Sequence, residues 1–115
     1  MSNFLKNIPH EEIVTLGGLV EIATGQVVSR TLAQNKALSV TVFAFDKGEE
    51  IGTHASHGDA MVTVLEGTGK FTVDGQVFIV KAGETLVMPA GKPHAVFGVE
   101  PFKMLLVVVF PQVEN

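Results

Sequence analysis

Short runs of Val, Ile, Leu, Phe and Thr alternate with turn residues along nearly the whole chain. Turn signals recur at Gly17-Gly18, Thr24-Gly25, Gln34-Asn35-Lys36, Asp46-Lys47-Gly48, His57-Gly58-Asp59, Glu66-Gly67-Thr68-Gly69, Asp74-Gly75, Ala82-Gly83, Ala90-Gly91 and Val99-Glu100-Pro101. Those intervals are too short for helices, and the residues between them suit a pleated, half-buried surface. The pattern predicts strands near Leu19–Ile22, Gln26–Ala33, Leu38–Phe45, Gly52–Ala55, Ala60–Glu66, Gly69–Val73, Gln76–Val80, Thr85–Met88, His94–Gly98 and Lys103–Phe110. Asp74-Gly75 sits between two of these runs and suits a type I′ turn, so Lys70–Val80 reads as a hairpin. Only Ile8–Val14, with Pro9 near its start, has room for a helical turn. So many short, evenly spaced strands predict an all-β barrel or double-sheet jelly roll, in which closure limits exposed edges. The last run, Met104 to Phe110, is apolar on both faces, so something must cover its outer side: a second layer of the same barrel or another copy of the chain.

At 115 residues the chain has the size of one domain and buries enough surface to fold without covalent staples. It contains no cysteine, which rules out disulfides, thiolate ligands and thiol nucleophiles. Its formal net charge is −4 and its basic residues form no cluster, which argues against a nucleic-acid partner. The run from Met104 to Phe110 is far short of the roughly 20 residues a bilayer-spanning helix requires. The first residues lack a basic segment followed by an apolar core, so the expectation is a cytoplasmic protein without a membrane partner.

The chemistry concentrates in two blocks. Gly83, Pro89, Gly91 and His94 stand in the spacing G-x5-P-x-G-x2-H, and upstream Gly48 precedes His54 by six positions. Glycine permits positive φ where a strand reverses and proline fixes φ where a turn begins, so the second block holds the strand carrying His94 in a defined place. An imidazole so placed is a candidate metal ligand.

These blocks resemble the two motifs of the small single-domain cupins, β-barrels that supply metal ligands from adjacent strands to the barrel interior. The second motif, G-x5-P-x-G-x2-H-x3-N, is matched from Gly83 to His94, with Gly98 in place of the closing asparagine. The first, G-x5-H-x-H-x3,4-E-x6-G, is matched at Gly48, His54 and Gly67. Its second histidine falls on Ser56, with His57 displaced by one, and its glutamate falls on Ala60, with Asp59 alongside. The resemblance covers roughly Leu38 to Phe110. It implies a cupin-type double-stranded β-helix, or jelly-roll barrel, spanning residues 1–115, with its core at about 38–110 and residues 1–37 adding strands. It also favours a homodimer, because many cupins pair through outer sheet faces.

Residues of one parity share a face of a strand. If His94 points inward, so do Val96 and Gly98; if His54 does, so does Ser56, and the resemblance places Ala60, Val62 and Val64 inward. His54 and His94 then follow the family pattern directly. His57 lies in a turn that Gly58 frees, from which its ring could replace the ligand missing at Ser56, with Asp59 as a fourth, oxygen ligand. The first functional reading is therefore a divalent transition metal, zinc, iron, copper, nickel or manganese, held by His54, His57, His94 and Asp59. A small organic molecule would be bound or acted on beside it by oxygenase- or isomerase-like chemistry. The second is a metal-free, non-catalytic barrel that binds or senses a small molecule, which alanine at position 60 favours.

Overall fold

The computed structural model describes residues 4–112, in which nine strands and a single short helix are found. The strands are β1 (Val27–Gln34), β2 (Leu38–Phe45), β3 (Glu50–His54), β4 (Asp59–Glu66), β5 (Thr68–Val73), β6 (Gln76–Lys81), β7 (Thr85–Met88), β8 (His94–Gly98) and β9 (Phe102–Val109). They form two antiparallel sheets, ordered β1-β2-β9-β4-β7 and β3-β8-β5-β6, which face each other as a jelly-roll barrel. Asp74 and Gly75 both take positive φ, 50° and 83°, as a type I′ turn requires, and they join β5 to β6 in register.

The main core lies between the sheets. Phe45 stacks on Phe102 at 4.7 Å between ring centroids, and Phe71 meets Phe102 edge-on at 6.1 Å. All three rings are fully buried. Such aromatic pairs add about 0.5–1.5 kcal/mol each beyond their area burial. They pack so tightly that Gly69 on β5 has no room for a side chain against Phe102 and Phe71.

The N-terminal segment departs from its sequence reading. Leu19–Ile22 is not a strand: Leu16–Leu19 forms a 3-10 turn, after which Leu19 and Val20 insert into a second core with Leu32, Val42 and Ala44. Their hydrophobicity serves the outer face of the five-stranded sheet, not a ladder. Ile8–Val14 holds no helical turn either, since Asn7 and Glu11 adopt φ of 60° and 59°, which a right-handed helix cannot contain. The segment is tied down by backbone and side-chain bonds. Lys6 N–H donates to Leu32 O, Asn7 Nδ2 donates to Thr31 O, and Arg30 donates to Asn7 O. Lys103 Nζ reaches out from β9 to Gly17 O at 2.8 Å and to Glu66 at 3.5 Å.

That arrangement answers part of the question posed by β9. Its inward face, Phe102, Met104, Leu106 and Val108, belongs to or packs on the main core, while Leu105 on the outer face packs against the second core. Beyond Leu105 the outer face is uncovered: Met61, Val87 and Val109 are 40%, 52% and 57% exposed, and Met61 is paired with Val87 and with Val107. No helix among the described residues is long and apolar enough to cross a membrane.

Candidate functional site

His54 ends β3 and His94 begins β8, and the two residues are direct partners across that antiparallel pair. Ile51 and His54 both face the barrel interior although they are three positions apart, which strict alternation forbids. The register supplies the reason. Ile51 pairs with Val96 but His54 pairs with His94, so one extra residue is accommodated on β3 between them. Without that irregularity Thr53 would face His94 and His54 would turn outward; bulges commonly re-aim a side chain in this way.

The turn that delivers His94 is braced from the β3–β4 loop. Gly91, at φ 79°, donates its N–H to Ser56 O at 2.8 Å, and Ala90 N–H donates to Asp59 Oδ1 at 2.9 Å. Gly58 packs so closely on the Val109 carbonyl that a Cβ would lie 2.3 Å from it. This pins the turn from which the His57 ring would have to reach inward. His57 consequently points outward, exposed, with its ring edge-on to Phe110 at 6.5 Å between centroids. The structure thus brings His54 and His94 together and brings neither His57 nor Asp59 to them. The Asp59 carboxylate is spent on the Ala90 amide instead.

Where the two imidazoles meet, their Nε2 atoms are 3.1 Å apart, with ring planes inclined at 69°. His94 is 4% exposed and His54 stands at the exposed rim. Each Nδ1 faces a backbone carbonyl two residues earlier, Gly52 O at 3.0 Å for His54 and Lys92 O at 3.3 Å for His94. A carbonyl oxygen only accepts, so a proton on Nδ1 of each ring satisfies both carbonyls and leaves both Nε2 atoms as acceptors, whereas a proton on either Nε2 donates across the pair instead. In the first arrangement the two lone pairs repel at this distance unless a cation lies against both. Burial first, and the facing His54 second, hold His94 below the ordinary histidine value of 6.5, against the opposing pull of the Lys92 carbonyl.

The pair opens on a cavity of about 240 Å3. Its walls are apolar on most sides, among them Ile51, Met88, Val96, Met104 and Leu106, and Ser56 and Ala60 line it as well. Inward placement of Val96 alongside His94, and of Ser56 alongside His54, follows the parity argument. Val62 and Val64 are likewise fully buried in the main core. Met88 and Met104 were not singled out by sequence reasoning. Register could have found them, since Met88 lies opposite Ala60 and Met104 shares the inner face of β9.

The donor chemistry fits a metal ion in part. Two nitrogens bound to one ion at about 2.0–2.1 Å, with an angle between a right angle and the tetrahedral value, lie about 2.8–3.4 Å apart. The observed 3.1 Å falls in that interval. An Nδ1–H held by a carbonyl is also the usual means of aiming a ligating imidazole. Among the described residues, however, no group of three or more His, Cys, Asp or Glu side chains is placed to hold a metal. The histidines supply two ligands, and any others must be of a different kind.

Residues 41–110 match the protein family described as Cupin domain. The chain is similar throughout to a conserved protein of unknown function from Streptococcus pyogenes, with 49% identity, 97% of this chain and 98% of that one covered, and a TM-score of 0.95. It is also similar to a cupin superfamily protein from Desulfitobacterium hafniense, at 34% identity over 93% of this chain and 98% of the other, with a TM-score of 0.89. A cupin 2 conserved barrel domain protein from Leptotrichia buccalis shares 49% identity over 81% of this chain and 45% of its own length, with a TM-score of 0.79. No curated protein matches the chain.

Proposed function

Since the chain belongs to the cupin family, we propose that it is a small cupin barrel that holds a transition-metal cation on His54 and His94 and receives a small organic molecule in the chamber beside them. The observation that carries this reading is the approach of two Nε2 atoms to 3.1 Å at the mouth of the chamber, each ring with a backbone carbonyl at its other nitrogen. A metal bound there would supply Lewis acidity. The rest falls to the protein. Ile51, Val96 and Leu106 exclude water, and the Ser56 hydroxyl offers a hydrogen bond to a ligand's polar group. An apolar cavity of roughly 150 Å3 accommodates benzene, so the larger chamber here suits a molecule of about one substituted ring.

A second reading has one observation in its favour. Ala60 lines the chamber where the family pattern has its carboxylate, which suits a metal-free site using the imidazoles as hydrogen-bond partners. Metal analysis of tag-free protein separates the two. Under the metal reading, wild type carries close to one ion per chain after incubation and dialysis, and His54→Ala and His94→Ala each lose at least about tenfold in affinity. Equal trace content in all three proteins sinks the metal reading and leaves the metal-free one.

We also assign the uncovered strip of Met61, Val87 and Val109 to contact with a second copy of the chain, because a continuous apolar patch on an outer sheet face is costly to leave in water.

A further inference from the structure

Resting on the reading that a second copy covers the strip of Met61, Val87 and Val109, we propose that the part of that copy seated on the strip is its N-terminal loop, residues 8–16, which carries Ile13. Ile13 is 103% exposed and Val14 beside it is 36% exposed, so the loop turns an aliphatic side chain wholly into solvent. Yet both ends of the loop are fixed. Before it, Lys6 N–H and Asn7 Nδ2 donate to the carbonyls of Leu32 and Thr31; after it, Gly18 N–H donates to Thr15 O and Lys103 Nζ holds Gly17 O. Ile8 and Leu16, which bound the loop, both pack against the second core, so it stands on the outer face of the five-stranded sheet.

Loop and strip occupy different parts of that face. The 3-10 turn that follows the loop packs over β2, β4 and β9, and Lys103 ties it to the end of the sheet where Ala44, Lys103 and Glu66 are paired. The strip lies toward the opposite end, where Val40, Val107, Met61 and Val87 form one row across four strands without a charged side chain. The outer surface is therefore stepped, raised by one layer of chain at one end and bare at the other. Two such surfaces meet closely when the raised part of each lies on the bare part of the other. A two-fold axis in the plane of contact, passing between loop and strip, does this for both copies at once and closes the assembly at two.

Size supplies a second argument. A stable interface engages roughly 20–30 residues a side, and a strip of a few side chains meeting only its own copy falls far short of that. Loop on strip uses both features twice. It also takes Ile13 and Met61 out of water together, apolar against apolar.

Charge exchange between the two positions tests the contact, read by native mass spectrometry and by light scattering after size exclusion. Wild type should run as a dimer, and Ile13→Lys and Met61→Glu should each weaken it at least about tenfold, because each sets an unpaired charge against apolar side chains. Mixed in equal amounts, the two variants should form a heterodimer, in which one loop–strip contact is Lys against Glu and the other is wild type. Ile13 touches nothing within its own chain, so its substitution leaves the fold intact, and thermal unfolding checks this for both variants. A second measurement avoids any dependence on an ion pair. The chain has no cysteine, so Ile13→Cys mixed with Met61→Cys should be joined by a short bismaleimide into a heterodimer. An Ile13→Lys protein that stays dimeric, or a cysteine mixture that gives no heterodimer while wild type is dimeric, overturns the proposal and leaves the strip to some other surface of the second copy. A wild-type monomer at tens-of-micromolar concentration removes the dimer reading beneath it as well.

Discussion

Protonating His94 in the folded protein places a charge on a buried ring beside a second imidazole, and both facts hold its affinity for protons below the ordinary value of 6.5. In the unfolded chain that restraint is absent. Below about pH 6.5 the unfolded state therefore binds more protons at this residue than the folded state, and stability falls as pH falls, until the folded-state value is passed. Metal-free wild type, unfolded in urea between about pH 7 and about pH 5, should lose more stability than His94→Gln over the same range. Parallel curves would show that His94 titrates as freely in the fold as outside it. Both imidazoles were legible in the sequence, because the glycines and the proline that aim them leave a spaced signature. Met88 and Met104 were not, because methionine in an apolar run reads only as packing.

At the scale of elements, Asp59 does its work as a strap between two loops. Its carboxylate accepts the Ala90 N–H and so steadies the turn from β7 to β8 that ends at His94. Asp59→Ala should reduce stability by about 1 kcal/mol and weaken cation binding less than either histidine substitution, while Asp59→Asn, whose Oδ1 still accepts, should stay close to wild type. If Asn and Ala both abolish binding as fully as His94→Ala, Asp59 is a ligand after all. Strands and the Asp74-Gly75 hairpin could be read almost to the residue, since alternation and turn chemistry are local. What could not be read depends on contacts distant in sequence. Gly58 looked like freedom for His57 and is instead a close approach to the Val109 carbonyl. Leu19 and Val20 have the composition of a strand but are used to plug a sheet face. The inserted residue near Thr53 leaves no mark in composition at all.

At the scale of the whole molecule, the outer face of the five-stranded sheet keeps an uncovered apolar strip, Met61, Val87 and Val109. If a second copy covers it, light scattering after size exclusion should give twice the 12.2 kDa chain mass. Met61→Lys/Val87→Lys should then run as a monomer, because two buried, unpaired charges cost more than the contact returns. A wild-type monomer at tens-of-micromolar concentration, roughly where a standard-sized interface is populated, ends that assignment. The placement of β9 has a mechanical meaning beyond either interface. Leu105 serves the outer layer and Leu106 the chamber, so adjacent peptide units of a single central strand belong to opposite sides of the protein. A molecule filling the chamber would therefore press on the same stretch of backbone that the N-terminal layer rests on.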